Sequence, residues 1–455
     1  MDGSNNLKLK DGSRVAVIGG GPAGSFFSYF LLQFAERIGL EIFVDIYEPR
    51  DYSKPGPTGC NMCAGVVSES LVQNLATEGI ILPSTVVQRG IDSYVLHMDV
   101  GSALIPSIRH ERRIGTAFRG VGPRGIKEIK WGSLDHFLMK LALDQGAQHI
   151  PARVSEVEKV ADPEKLNGGG QRLQVKTTKG LTQTYDLLAV SAGVNTAILK
   201  LFQGMDFGYQ PPLTTQCFVR EYYLGEEAVS KHLGSSFHAF LLNIPNLDFA
   251  AMVPKGDYAS LALLGENIDA DLLQTFTSDP ALERCMPPNY PLDQVDCWCS
   301  PRINIKGSAR PYGDRIVFIG DSAVSRLYKD GIGAAYRAAK AAATAAIFEG
   351  VSSEAFERRY WPACRSMEID NTIGKILFAV VREVQKRKFA RRAVLQMVLR
   401  EQERGVVGDR NMSMVMWDML TGSAPYRKIL LRTLHPVFWM RLLKHFFVAA
   451  VQSFG

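Results

Sequence analysis

No apolar run in this 455-residue sequence is long enough to cross a bilayer, which excludes a membrane-spanning helix. The stretch from Met1 to Arg14 is polar and mixed in charge, so no secretory signal is expected there. Cysteine is sparse. There are seven, an odd number, and without a signal peptide they argue for a reducing, cytoplasmic setting rather than a disulfide framework. Neither an internal repeat nor a low-complexity tract is present, and only one stretch reads as a glycine-rich nucleotide motif. Acidic residues are scarce in one region. Between Asn371 and Gly455 there are 5 Asp+Glu against 15 Lys+Arg, so this segment carries +10 and the rest of the chain −4. The basic charge is therefore local. It points to an anionic partner for the C-terminal segment, a membrane surface or nucleic acid, and not to a generally basic protein.

What is present is organised around one stretch, Arg14-Val15-Ala16-Val17-Ile18-Gly19-Gly20-Gly21-Pro22-Ala23-Gly24. Small and β-branched residues enter a glycine turn, and the apolar run from Ser25 to Arg37 leaves it as a helix. Gly19, Gly21 and Gly24 fit the spacing G-x-G-x-x-G. The first glycine permits a tight turn, the second lets backbone approach a pyrophosphate, and the third lets helix and strand pack closely. Pro22 and Ala23 then open a helix whose free N–H groups suit phosphate. A second strand, Glu41 to Tyr47, closes on Glu48, an acid placed to bind a ribose hydroxyl pair.

At this length two or three domains with a large core are expected. Asp186 to Gly193 reads as a buried strand ending in small residues, and Asp314 to Ala323 as another that ends in Gly320-Asp321. Gly331-Ile332-Gly333 then starts an alanine-rich helix to Phe348. Leu213 to Leu264 has the alternation of an antiparallel sheet. The turn from Lys165 to Gln171 reads as an exposed hairpin tip. Beyond Ser352 the pattern is helical, with a break near Thr421 to Pro425.

These residues resemble the flavoproteins of the para-hydroxybenzoate hydroxylase fold, and within them the geranylgeranyl reductase family, from Arg14 to about Gly350. The resemblance rests on the glycine motif with Glu48, on Asp186 to Gly193, on Gly320-Asp321 and on Cys63-Ala64-Gly65-Val66-Val67-Ser68. It implies an α/β chain: a Rossmann-like FAD-binding domain (13–90, 120–200 and 300–350), an antiparallel-sheet substrate domain (91–119 and 201–299) and a basic helical segment (351–455). It implies FAD as cofactor, with Asp321 on its ribityl or pyrophosphate part and Gly331 and Gly333 bringing a helix N-terminus to the pyrimidine edge. Gly193 would approach the nucleotide, and Cys63 would lie near the isoalloxazine.

The implied activity is an FAD-dependent oxidoreductase that delivers flavin hydride to a double bond of a hydrophobic, isoprenoid or quinone-type substrate, fed by an external electron donor. A flavin monooxygenase and a non-catalytic lipid- or protein-binding module are the alternatives. The family's substrate motif, P-x-x-Y-x-W-x-F-P, aligned on Pro254, places Phe249, Ala251 and Val253 at its aromatic positions, so a wider pocket is expected.

Four further groups carry chemistry. Cys60, Cys63, Cys297 and Cys299 could supply a zinc or iron–sulfur site, a redox dithiol, or only buried thiols. Lys329 and Asp330 are candidates for proton transfer or charge compensation at the flavin, or for a plain ion pair. Arg109, His110, Arg112 and Arg113 form a basic run suited to an acidic head group or to a solvated face. From Val437 to Ala450 a helical wheel puts Trp439, Leu442, Leu443, Phe446, Phe447 and Ala450 on one face, with Arg441, Lys444 and His445 opposite. That is the pattern of an interfacial helix, and it predicts peripheral membrane contact and no nucleic-acid partner.

Overall fold

The structure, a computed structural model, describes residues 7–107, 114–126, 128–161, 171–293, 297–404 and 411–454, with side chains as far as Phe447. The basic run at 109–113 and most of the turn at 165–171 lie outside the described residues.

The opening stretch forms β1 (Ser13–Ile18), a glycine turn and α1 (Pro22–Arg37). β1 is apolar on both faces because it lies in the middle of a sheet covered on both sides. It pairs in parallel with β2 (Ile42–Tyr47), which in turn pairs with the short strand Gln148–Ile150. On its other edge β1 pairs in parallel with Leu187–Val190, and that strand with Ile316–Phe318. Tyr312–Gly313 adds an antiparallel edge to complete six strands. α1 packs on this sheet beside α2 (Leu134–Asp144) and α3 (Gly331–Thr344). The alanine-rich sequence of α3 permits close approach, and its Tyr336 ring meets Phe26 and Phe30 edge-on at 5.5 Å.

A seven-stranded second sheet stands over the C-terminal ends of β1 and β2. Its order is Cys297–Cys299, Phe218–Tyr223, Tyr258–Gly265, Leu247–Lys255, Ser236–Phe240, Ser93–Met98 and Gly101–Pro106. All neighbours are antiparallel except Ser236–Phe240 with Ser93–Met98. Successive residues of Leu247–Lys255 serve two cores: Phe249, Ala251 and Val253 face one, and Ala250 and Met252 the other.

The C-terminal segment is α4 (Trp361–Lys386), α5 (Lys388–Arg404), α6 (Asn411–Thr421), α7 (Tyr426–Thr433) and α8 (Pro436–Phe454). The expected break falls where Gly422 takes φ +73° and Pro425 caps α7. These helices cover the second sheet. Trp417 and Tyr426 are buried with Tyr94, Phe237 and Phe378 in one core. The segment is thus an integral wall of the fold, and α8 does not divide as the wheel predicts. Leu442 and His445 are buried and Phe446 is half-buried against Phe389, while Trp439, Leu443 and Phe447 are exposed. No helix among the described residues is long and apolar enough to cross a membrane.

Candidate active site

The glycine turn opens into a cleft of about 310 Å³ between the two sheets. Gly19 adopts φ +104°, a conformation that favours glycine, and a side chain there would meet the Ser191 carbonyl. Glu48, at the tip of β2, accepts from Gly20 N (3.0 Å), Arg50 N (2.9 Å) and the Tyr52 hydroxyl (2.8 Å). Its carboxylate is thereby fixed at the cleft wall. α1 starts at Gly21 with Pro22 in its first turn and no side-chain cap. α3 starts at Asp330, also without a side-chain cap, and its first residues line the same cleft.

Of the residues expected to hold a cofactor, Gly19, Gly21, Pro22, Ala23, Glu48 and Gly193 line the cleft from the first half of the fold. Asp321, Gly331 and Ile332 line it from the second. Gly24, Gly320 and Gly333 act one layer back. A Cβ on Gly320 would stand 2.7 Å from that of Ala23, and one on Gly333 would overlap the Asp330 carboxylate. Burial raises the pKa of the Asp321 carboxyl from its ordinary value, against the Ser325 hydrogen bond and the Arg119 charge.

The opposite wall is apolar: Phe237, Phe249, Ala251, Val253 and Leu264. The three positions taken from the substrate motif do face the cleft, as period-2 alternation requires. Leu420 and Thr421, at the end of α6, complete this wall.

Lys329 and Asp330 are both drawn into the protein, and neither is a surface ion pair. The Lys329 ammonium donates to the carbonyls of Asp418 (2.8 Å) and Ala424 (3.1 Å) and lies 3.8 Å from the Tyr426 ring centroid. Burial, then the Arg326 charge, pushes its pKa well below the usual lysine value. Asp330 accepts from Arg326 (2.9 Å), Arg337 (3.0 Å) and Ser68 (2.6 Å). Held by three donors, it fixes the start of α3. Lys329 ties the cleft floor to the C-terminal helices.

Cys60, Cys63, Cys297 and Cys299 gather round a separate cavity of about 30 Å³, together with the buried pair Lys255 and Glu221 (3.1 Å). Cys63 also lines the main cleft. The four cysteines line one cavity, and no three of them bring their sulfurs within 4.8 Å of one another. All four are free. Burial raises the pKa of Cys60, Cys297 and Cys299. These three should therefore alkylate more slowly with iodoacetamide at neutral pH than in the urea-unfolded chain, and faster as pH rises. Peptide mapping by mass spectrometry measures this. Faster alkylation in the folded chain would mean an activated thiolate instead.

Among the described residues, His97, His238 and Cys285 are the group whose ligand atoms do lie that close. They sit on the face of the second sheet remote from the cleft, beside Phe240 and Phe276. The two rings are within 13° of coplanar, with centroids 5.2 Å apart and His97 Nε2 2.9 Å from His238 Nδ1. The nitrogens meet head-on, which is the geometry of an N–H···N bond and not of two lone pairs converging on an ion. His238 Nε2 donates to the Leu233 carbonyl (3.1 Å) and His97 Nδ1 pairs with the Ser102 hydroxyl (2.8 Å), so the network closes without a metal. Burial keeps both rings neutral, with pKa values lowered to about 3 and about 4.

One feature has no local signature in the sequence. Arg119 lines the cleft and forms a two-pronged buried pair with Asp135, through its Nε and through Nη2 at 2.9 Å. Asn61 Nδ2 donates to the same carboxylate (3.1 Å). The pair joins the first turn of α2 to the segment after Ile114–Thr116, and Asn61 ties the loop that carries Cys60 and Cys63 to the same carboxylate.

No family model matches the sequence, and no curated protein matches it. Solved structures do resemble it in fold. A geranylgeranyl bacteriochlorophyll reductase-like protein from Thermoplasma acidophilum aligns with TM-score 0.56 at 14% identity, over 97% of this chain and 100% of that one. The p-nitrophenol 4-monooxygenase PnpA from Pseudomonas putida aligns with TM-score 0.56 at 13% identity, over 96% and 99%. The flavin-dependent brominase Bmp2 aligns with TM-score 0.56 at 14% identity, over 87% and 93%. The chain has the FAD-binding monooxygenase fold, with a mixed α/β body and a C-terminal helical region.

Proposed function

We propose that this protein is an FAD-dependent oxidoreductase acting on a hydrophobic molecule, of isoprenoid or quinone type, held against the apolar wall of the cleft. The observation that carries the reading is the convergence on one cleft of two helix starts without side-chain caps, α1 and α3, and of Glu48. Helix N-termini favour negative charge. α1 suits a pyrophosphate, and α3 suits a ring edge that becomes negative on reduction. Glu48 suits ribose hydroxyls, and the small residues at Gly19, Gly21 and Gly193 leave room for backbone to approach the nucleotide. When bound, FAD supplies two-electron redox chemistry.

The chain's own part is placement. Phe249, Ala251, Val253 and Leu264 offer an apolar surface that excludes water and takes an alkyl or ring substrate flat against it. Arg119, held by Asp135, keeps a positive charge at the cleft wall. The sequence has a single glycine-rich nucleotide motif, so electrons are taken to come from an external donor.

The test is spectroscopic, then chemical. Purified protein should be yellow, bleach with dithionite under nitrogen, and recover its colour on adding an isoprenoid or quinone acceptor, with the reduced product, a saturated isoprenoid or a hydroquinone, found by mass spectrometry. A colourless protein that takes up no added FAD would overturn the reading. A hydroxylated product that forms only with oxygen would identify a monooxygenase. Bound flavin that cannot be cycled would leave a binding module.

A further inference from the structure

We infer that the outer face of α8 docks on an anionic lipid surface. This inference does not depend on the flavin reading. α8 is fastened by one side: Phe438 and Leu442 enter the core shared with the second sheet, and the helix packs along α5. The other side carries Trp439, Met440, Leu443 and Phe447, which are 46%, 64%, 57% and 72% exposed. On a helix these four fall within a little over a quarter of the circumference. The preceding helix adds Leu431 and the turn after it Leu434, at 68% and 59% exposure. Among the described residues nothing covers this apolar arc.

Charge identifies the occupant. Arg400 and Arg404, from the end of α5, and Lys444 of α8 all lie close enough to His445 to act on its charge. All three are exposed. Lys444 stands about 40° round the helix from Met440, at the edge of the arc, and the segment from Asn371 onward carries +10 in all. Arg427 and Lys428 are exposed at the start of α7. An apolar strip edged by cations is complementary to a bilayer interface bearing anionic head groups, where the rings enter the acyl boundary and the cations stay at the phosphates. A second copy of this chain would bring the same cations together and is disfavoured by repulsion.

The experiment uses the full chain with two kinds of extruded vesicle: phosphatidylcholine alone, and phosphatidylcholine with phosphatidylglycerol in equal parts. The protein should float with the anionic vesicles at low salt, stay behind with the neutral ones, and be released as salt is raised to about 0.5 M. Arg400→Glu with Arg404→Glu should weaken binding by about fivefold or more per charge. Leu443→Glu with Phe447→Glu should abolish it, and because both side chains are exposed the circular dichroism and melting temperature should not change. As an independent readout, lipid brominated in its acyl chains should quench the tryptophan emission of the parent chain, and quenching should be lost in Trp439→Phe. Absence of flotation at low salt would overturn the inference. So would equal binding to both vesicles, or variants that bind like the parent. A parent chain that elutes as a dimer, and a Phe447→Glu variant that does not, would give the face to a second copy instead.

Discussion

Gly24→Val protein should leave purification with little or no flavin, while the parent chain retains it. A Cβ at Gly24 would run into the carbonyl oxygen of Gly19 and stand 2.6 Å from Ser191 Oγ and 3.0 Å from a methyl of Val17. These are backbone and buried contacts that cannot swing aside, so α1 must lift off β1. Overpacking of this kind costs about 1–3 kcal/mol. Because the lift displaces the helix start from the cleft, that cost falls on binding, where each 1.4 kcal/mol is about tenfold in Kd. A loss of roughly tenfold to a hundredfold in FAD affinity is expected, measured by flavin fluorescence titration. Gly90→Val is the control, since a side chain there meets nothing within 4 Å. Unchanged affinity in Gly24→Val would mean that the turn does not hold the cofactor.

Asp135→Ala should lower the unfolding free energy by about 3–5 kcal/mol, the usual cost of stranding one partner of a buried ion pair. Asp135 is fully buried and Arg119 nearly so. Burial alone would lower the Arg119 pKa, but the charge and hydrogen bonds of Asp135 more than reverse this and keep it protonated. Removing the carboxylate leaves a guanidinium and the Asn61 amide without their acceptor. The urea midpoint measures the effect. Asp135→Leu combined with Arg119→Met should recover much of the loss, because two apolar groups leave no charge stranded. If Asp135→Ala unfolds at the parent midpoint, water in the cleft already solvates Arg119 and the pair is not structural.

The sequence is readable where the determinants are local. The run Val15 to Gly24 encodes strand, turn and helix within a few residues, and Glu48 follows from the end of the next apolar run. Asp321 is reachable only through resemblance, since a Gly-Asp pair has no meaning until three strands are aligned beneath it. Arg119 and Asp135 cannot be paired in advance, because they stand 16 positions apart and nothing in their spacing brings them together. The cysteine pairs are legible as pairs, but their separation in space depends on how Cys297–Cys299 registers with Val219 and Glu221. The last helix misleads in an instructive way. It is apolar around most of its circumference, so a wheel cannot say which apolar side faces protein. The structure turns Phe438 and Leu442 inward and leaves Trp439 and Phe447 outside.

The order of the six-stranded sheet bears on how the chain is made. β1 lies at its middle, yet one neighbour is residues 187–190 and the next strand beyond is residues 316–318. On a ribosome adding roughly 5–20 residues per second, β1 waits roughly 15–60 s after emerging before that third strand exists. The cleft wall at Leu420 and Thr421 comes later still. For the first part of this interval the apolar edge of β1 has no strand to pair with on that side. For the rest, the edge of residues 187–190 stands open in its place. Nascent chains of this protein should therefore lean on holding chaperones, and a ribosome stalled before Ile316 should present a sheet that is still open.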